Sequence, residues 1–300
     1  MPAQEAIDLT YDTQETARDF KEETRTRRLK SAYLDANPTI CMERALAFTR
    51  SYKETEGQAT TVRLAKAFRL ACETITLNIF EDELIVGTHG SGRRMGALVP
   101  EISWKWLAKE LDTIQTRPRD PYYIDPEQER LFVEEIIPYW KGKSLEENAL
   151  ARFPEETLRI GVDTDILDTE MKWRSHVGEI TPDFQDILFP KGFRAICDEA
   201  REKLKTLDYT NDEDLDKIDY YQASIEACEG IITLGKRYAQ YAEEMAQKEQ
   251  DPARKKELEA IAANCRRVPE FSPRNFWEAA QMLWFVMLGC FLSENCPAFN

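Results

Sequence analysis

"SPRNFWEAAQMLWFVMLGCFLSEN", residues 272–295, is the stretch on which the fold turns. Its centre, residues 282–292, is the most apolar run in the chain at eleven residues. A bilayer-spanning helix needs about 20 predominantly apolar residues, so the run reads as a helix of a protein core. Ser272 and Pro273 stand where an N-cap and a first-turn proline belong. Apolar side chains lie all round the helix, which predicts burial among several neighbours.

Outward from this helix, most of the chain carries helical spacing. Residues 251–268, opened by "DPAR", read as one helix, residues 212–250 as a long one and residues 193–207 as a third. Near the other end, residues 13–36 read as an exposed charged helix, and Asn37-Pro38 as a turn. Ile40, Ala45, Phe48 and Tyr52 then recur at helical spacing until Gly57, and Val62, Ala65, Phe68 and Cys72 share one face of the next helix. The period changes at "EDELIVGTHG", where residues 84–86 suit a buried strand or extended segment closed by Gly87. Ser103 is placed to cap a short helix, Pro126 to open another, and Pro138 to end or kink it. Residues 144–192 form the loop-rich centre, with no repeat, low-complexity tract or linker elsewhere.

The charge balance narrows the partners. With 55 acidic and 40 basic residues the net charge is −15, so neither nucleic acid nor an anionic membrane surface is an expected partner. The N-terminus lacks the basic and apolar regions of a secretory signal. Seven cysteines, none in C-x-x-C, point to free thiols in a reducing cytoplasm. His89 and His176 have no partners at ligand spacing, so no metal site is expected. The loop "GTHGSGRR" lacks the Lys and hydroxyl of a phosphate loop and reads as a flexible turn. Cys290, inside the apolar helix with no neighbouring base, reads as core.

Four stretches carry more when taken in order: "ERALAFTRSYKETEG", "EDELIVGTHG" with "ALVPEISWKWLAKELDTIQTRPRDPYYI", "EEIIPYWKGKS", and "LGKRYAQYAEEMA" with "ELEAIAANCRRVPEFSPRNFWEAAQMLWFV". Together they resemble the N-terminal region of the glycyl radical enzymes, the pyruvate formate-lyase superfamily. The resemblance leans to the eliminating branch of glycerol and propanediol dehydratases, hydroxyproline dehydratase, choline lyase and isethionate sulfite-lyase. It implies an α/β fold, a ten-stranded barrel of two five-stranded halves, of which this chain supplies the mostly helical N-terminal portion. Residues 1–35 would be an N-terminal extension and residues 36–300 an incomplete barrel domain without the radical-glycine domain.

The implied activity is a glycyl radical lyase eliminating water, amine or sulfite from a small hydroxylated substrate. A glycyl radical oxidises a cysteine to a thiyl radical, which takes hydrogen from a substrate carbon. No bound cofactor is implied; a separate radical S-adenosylmethionine activase installs the radical. A homodimer in the cytoplasm, or inside a bacterial microcompartment, is implied too. The family's thiyl motif, of G-C-V-E type, is not matched by Gly289-Cys290-Phe291-Leu292, and no radical-glycine motif occurs. No catalytic residue is therefore assigned in this chain, which is expected to be inactive alone. A truncated helical scaffold, or a related decarboxylase or C–C lyase, are the rival readings.

The segment Gly178-Glu179-Ile180-Thr181-Pro182-Asp183-Phe184 is similar to the family's substrate loop, of G-H-T-x-x-D-Y type. The resemblance then implies Glu179 at the substrate-facing position, where relatives commonly carry His. Arg174 is a second candidate contact, for an anionic group such as sulfonate or carboxylate or for Glu179 itself. His176 is a third.

Overall fold

The computed structural model describes residues 24–162, 164, 166, 179–180, 182–294 and 298–299. In chain order they form α1 (Arg25–Asp35), β1 (Thr39–Cys41), α2 (Glu43–Glu54), α3 (Thr60–Thr74), β2 (Met95–Ala97), α4 (Lys105–Glu110) and α5 (Pro126–Leu131). A π-helical turn, Phe132–Ile136, leads into α6 (Ile137–Trp140), and Pro138 stands in the first turn of α6. Next come α7 (Leu145–Leu150), α8 (Glu155–Thr157), a second π-helical turn (Leu158–Val162), β3 (Glu179–Ile180) and a third such turn (Phe184–Leu188). The chain continues through α9 (Phe189–Lys205), α10 (Asp212–Lys248), α11 (Pro252–Arg267), α12 (Phe276–Ser293) and β4 (Ala298–Phe299).

The strands form two parallel pairs. β1 lies beside β2 in the register Thr39–Met95, Ile40–Gly96 and Cys41–Ala97, and β3 lies beside β4. Ile40 therefore belongs to a strand and not to the helix its spacing suggested. The helix begins at Glu43, and Ile40 is buried through pairing with a strand far along the chain. Parallel pairing of this kind needs a long crossover, which α2 and α3 provide.

The 37-residue α10 is the spine of the molecule, packed against α3, α9 and α11. Tyr238 on α10 is fully buried with its ring 5.7 Å from that of Phe285 on α12. Phe48, Phe68, Cys72, Leu288 and Leu292 join the same core. On length and composition α12 is the one helix among the described residues able to cross a bilayer. One face is nevertheless core: Met282, Phe285, Leu288 and Leu292 pack inward, and the buried polar Glu278 and Gln281 both have protein partners, whereas Phe276 and Leu283 are exposed, so burial is not all round as expected.

Two expected caps move. The cap of α12 is Asn275, not Ser272: Asn275 Oδ1 accepts from the Glu278 amide at 3.0 Å. Glu278 reaches back to the Arg274 amide (2.6 Å) and guanidinium (2.6 Å). Asn275 thus caps the helix while Glu278 secures the residue before it, one turn past the serine. Likewise Ser103 does not cap α4; its hydroxyl donates to the buried Glu146 carboxylate at 2.6 Å, and Trp104 takes the cap position.

The segment 84–88 joins no strand: Leu84 and Ile85 form a bend, and 86–88 have no regular structure. Side chains one turn or so apart on α12 take the place of a neighbouring strand. Trp277 Nε1 donates to the Leu84 carbonyl (2.8 Å) and Trp284 Nε1 to that of Gly87 (3.0 Å). Between them Gln281 forms a two-way bond with Val86, and Tyr238 Oη accepts from the Thr88 amide (2.9 Å). Buried backbone groups must be paired, and here a helix face supplies the ladder. Gly87, at φ 134°, allows the close approach of Leu288 that a β-carbon would block.

Candidate functional site

Of the three expected substrate contacts, Glu179 lies in β3, while Arg174 and His176 fall outside the described residues. In the register, Glu179 stands beside Ala298 and Ile180 beside Phe299. The chain leaving α12 thus runs next to the loop singled out from the sequence. That neighbour was not foreseen, and two-residue strands have no alternation that would have signalled it.

Both strands are fixed just outside the pair. Beyond β3, the Asp183 carboxylate accepts from the Asp186 amide (2.8 Å), starting the π-helical turn Phe184–Leu188. Phe184 then meets Phe189 with ring centroids 5.2 Å apart and packs on Leu188, Met282 and Val286. Gly192, at φ 69°, turns the chain so that the amides of Phe193 and Arg194 donate to the carbonyls of Pro269 (3.0 Å) and Glu270 (2.9 Å). The regular helix thus starts at Phe193, as expected from the sequence.

Before β4, the end of α12 is held by Arg44, a fully buried arginine on α2. Its Nε donates to the Leu292 carbonyl (2.8 Å) and its Nη2 to that of Ser293 (3.0 Å). The same guanidinium bonds both Glu101 carboxylate oxygens, at 3.2 and 2.6 Å, and lies 3.6 Å from the centre of the Phe48 ring. A buried cation is tolerated only when it is paired and hydrogen-bonded, and Arg44 meets both conditions. Helix-terminal carbonyls are favourable acceptors for it.

Other groups that could carry chemistry are occupied. Cys197 Sγ lies 3.6 Å from Glu229, but Arg194 and Arg201 hold that carboxylate down to about 2, which makes it a poor base. Burial pushes the Cys197 thiol up, the Cys228 thiol to about 12 and the Cys290 thiol to about 11. Cys72 and Cys265 are driven up by burial as well. Thiols in this state are packing groups and not nucleophiles. No disulfide and no cluster of metal-ligating groups occurs among the described residues.

The glycine-rich loop 87–94 is bolted down, not a flexible turn. Asn78 donates to Thr88 Oγ1 (3.2 Å) and to the Gly90 carbonyl (3.0 Å), and Arg93 lies over Phe80. His89 stacks on Phe291 with centroids 5.3 Å apart, and burial lowers its pKa, so the imidazole is neutral at pH 7.

The chain belongs to the pyruvate formate lyase-like family, which it matches over residues 15–300. Within it, the chain falls in the dehydratase and lyase branch of the glycyl radical enzymes. It is 38% identical to isethionate sulfite-lyase of Desulfovibrio desulfuricans, covering 93% of this chain and 34% of that protein. It is 33% identical to trans-4-hydroxy-L-proline dehydratase of Clostridioides difficile, covering 88% of this chain and 33% of that one. A solved structure concerned with 1,2-propanediol dehydration in Roseburia inulinivorans superposes with a TM-score of 0.84 at 33% identity, covering 91% of this chain and 32% of the other. The chain thus spans about a third of the length of these relatives. It supplies the mostly helical N-terminal portion of their barrel.

Proposed function

We propose that the polypeptide carrying this chain is a glycyl radical lyase that eliminates water, amine or sulfite from a small hydroxylated substrate. The observation that carries this reading is the similarity, over about nine-tenths of the chain, to curated lyases and dehydratases of that chemistry. A decarboxylase reading has less support, since the identity to indoleacetate decarboxylase of Tractidigestivibacter scatoligenes is 26%.

In this reading a hydrogen is abstracted from a substrate carbon, the group on the neighbouring carbon departs, and the cysteine returns the hydrogen to the product radical. The thiyl cysteine, its glutamate and the radical glycine are not assigned to any described residue. The radical is installed by a separate radical S-adenosylmethionine activase, and the enzyme works as a cytoplasmic homodimer. This chain's part is to present and orient the substrate. Glu179 on β3 accepts a hydrogen bond from the substrate hydroxyl, which orients the C–H bond and raises the electron density at that carbon. Arg174 binds an anionic group, which makes isethionate the first substrate to assay.

The test is anaerobic activation of the full-length polypeptide with its activase. A glycyl radical signal in electron paramagnetic resonance should appear, with release of sulfite from isethionate or turnover of trans-4-hydroxyproline, 1,2-propanediol or choline. A full radical signal with none of these consumed would overturn the substrate class. Lack of any signal with a working activase would overturn the enzyme reading in favour of a scaffold.

A further inference from the structure

We propose that Arg44 is the positioning residue for the substrate wall: it fixes the exit of α12 and, through it, the seating of β4 against the strand that carries Glu179. The observations are geometric. One guanidinium holds two successive carbonyls, those of Leu292 and Ser293, from a point 248 residues earlier in the chain. Ser293 is the last residue of α12, and β4 starts only a few residues beyond it. β4 then pairs with β3 at Glu179 and Ile180.

The guanidinium itself has little freedom. It is fully buried, stacked on Phe48 and held by both oxygens of Glu101. Glu101 is anchored in turn by the chain around it, since its carbonyl accepts from the Leu145 amide at 2.8 Å. A planar fork with five donors can bridge two carbonyls and a carboxylate together; a lysine ammonium, with three donors on a flexible stem, cannot keep that geometry. The buried charge pair and the carbonyl grip are therefore separable functions of one side chain. The pair neutralises Arg44, and the grip aims the chain toward the site.

The separation supplies the test, made on the full-length polypeptide. Arg44→Lys keeps the charge opposite Glu101 and loses the double grip. Glu101→Gln loses the charge pair and leaves the two carbonyl bonds. Hydrogen exchange should quicken at least about tenfold at residues 179–180 and 298–299 in Arg44→Lys, with α2 and α3 still protected. In the activated enzyme KM should rise about tenfold while kcat and radical content change less than about twofold, because misplacement of a binding wall weakens substrate binding. Glu101→Gln should lower the Tm without either effect. If Arg44→Lys does not fold, the charge-balanced double variant Arg44→Gln/Glu101→Gln serves instead, with the same local exchange and KM changes expected.

Unchanged exchange at residues 179–180 and 298–299 would overturn the proposal, as would a Glu101→Gln variant that reproduces the Arg44→Lys pattern. The kinetic arm rests on the lyase reading, whereas the exchange arm does not. Absence of turnover in the unsubstituted enzyme would count against the lyase reading alone.

Discussion

Gln281 and Val86 are joined by a reciprocal pair of hydrogen bonds: the amide nitrogen of Gln281 donates to the Val86 carbonyl (2.8 Å), and its oxygen accepts from the Val86 amide (2.9 Å). Both residues are buried. One side chain thereby does for an isolated irregular segment what an adjacent strand does in a sheet.

Replacing Gln281 with alanine leaves two buried backbone groups without partners. The expected loss is about 2–4 kcal/mol of stability, read as a lowered urea midpoint with an unchanged m-value. Substituting Gln281 with glutamate should cost at least as much, because a carboxylate cannot donate to the Val86 carbonyl.

Gly192→Ala should be strongly destabilising, by roughly 2–4 kcal/mol. Its φ is 69°, and a β-carbon there would stand 2.6 Å from the Glu270 carbonyl oxygen. A Tm equal to that of the unsubstituted protein would show that α9 can be seated another way.

The Glu229 carboxyl is held down to about 2, chiefly by its hydrogen bonds to Arg194, with Arg201 adding to the effect. A depressed folded pKa means that its contribution to stability is present above the ordinary carboxylate range. It is lost as pH falls from about 4.5 toward about 2. Thermal unfolding measured across that window should show a shallower acid slope in Glu229→Gln than in the parent.

Cys72, Cys228 and Cys265 should resist alkylation at pH 7 in the native protein and react fully once it is unfolded, since burial raises all three thiols. Mass mapping of the modified peptides reads this directly.

Under the proposed function, Glu179→Gln should cut kcat/KM by roughly 100-fold, with the radical signal intact. Full activity in that variant would remove Glu179 from the substrate wall.

Helices were the legible part of this sequence, because a 3.6-residue period is a local property. The face of Val62, Ala65, Phe68 and Cys72 is buried as read, and α10 and α11 start and stop close to their expected ends. What escaped depends on partners distant in the chain. Ile40 reads equally well as helix or strand until Gly96 is known to lie beside it. The segment 84–86 has the apolar character of a strand, yet its partners are tryptophan and glutamine side chains. Of the two expected caps, Ser103 is drawn off by a carboxylate 43 residues away, whereas Ser272 yields to a local signal, the three-residue spacing of Asn275 and Glu278. Resemblance picked out the segment around Glu179, but the strand beside it and the buried arginine at the end of α12 became visible only in three dimensions.

The clasp of α12 on residues 84–88 also sets an order of events during synthesis. The backbone groups of Leu84, Val86 and Gly87 find their acceptor and donors only after Trp277, Gln281 and Trp284 have left the ribosome, some 195 residues later. At about 5–20 residues per second this is an interval of roughly 10–40 s. Throughout it the polar backbone groups of residues 84–87 lie on a nascent chain that does not yet hold their partners.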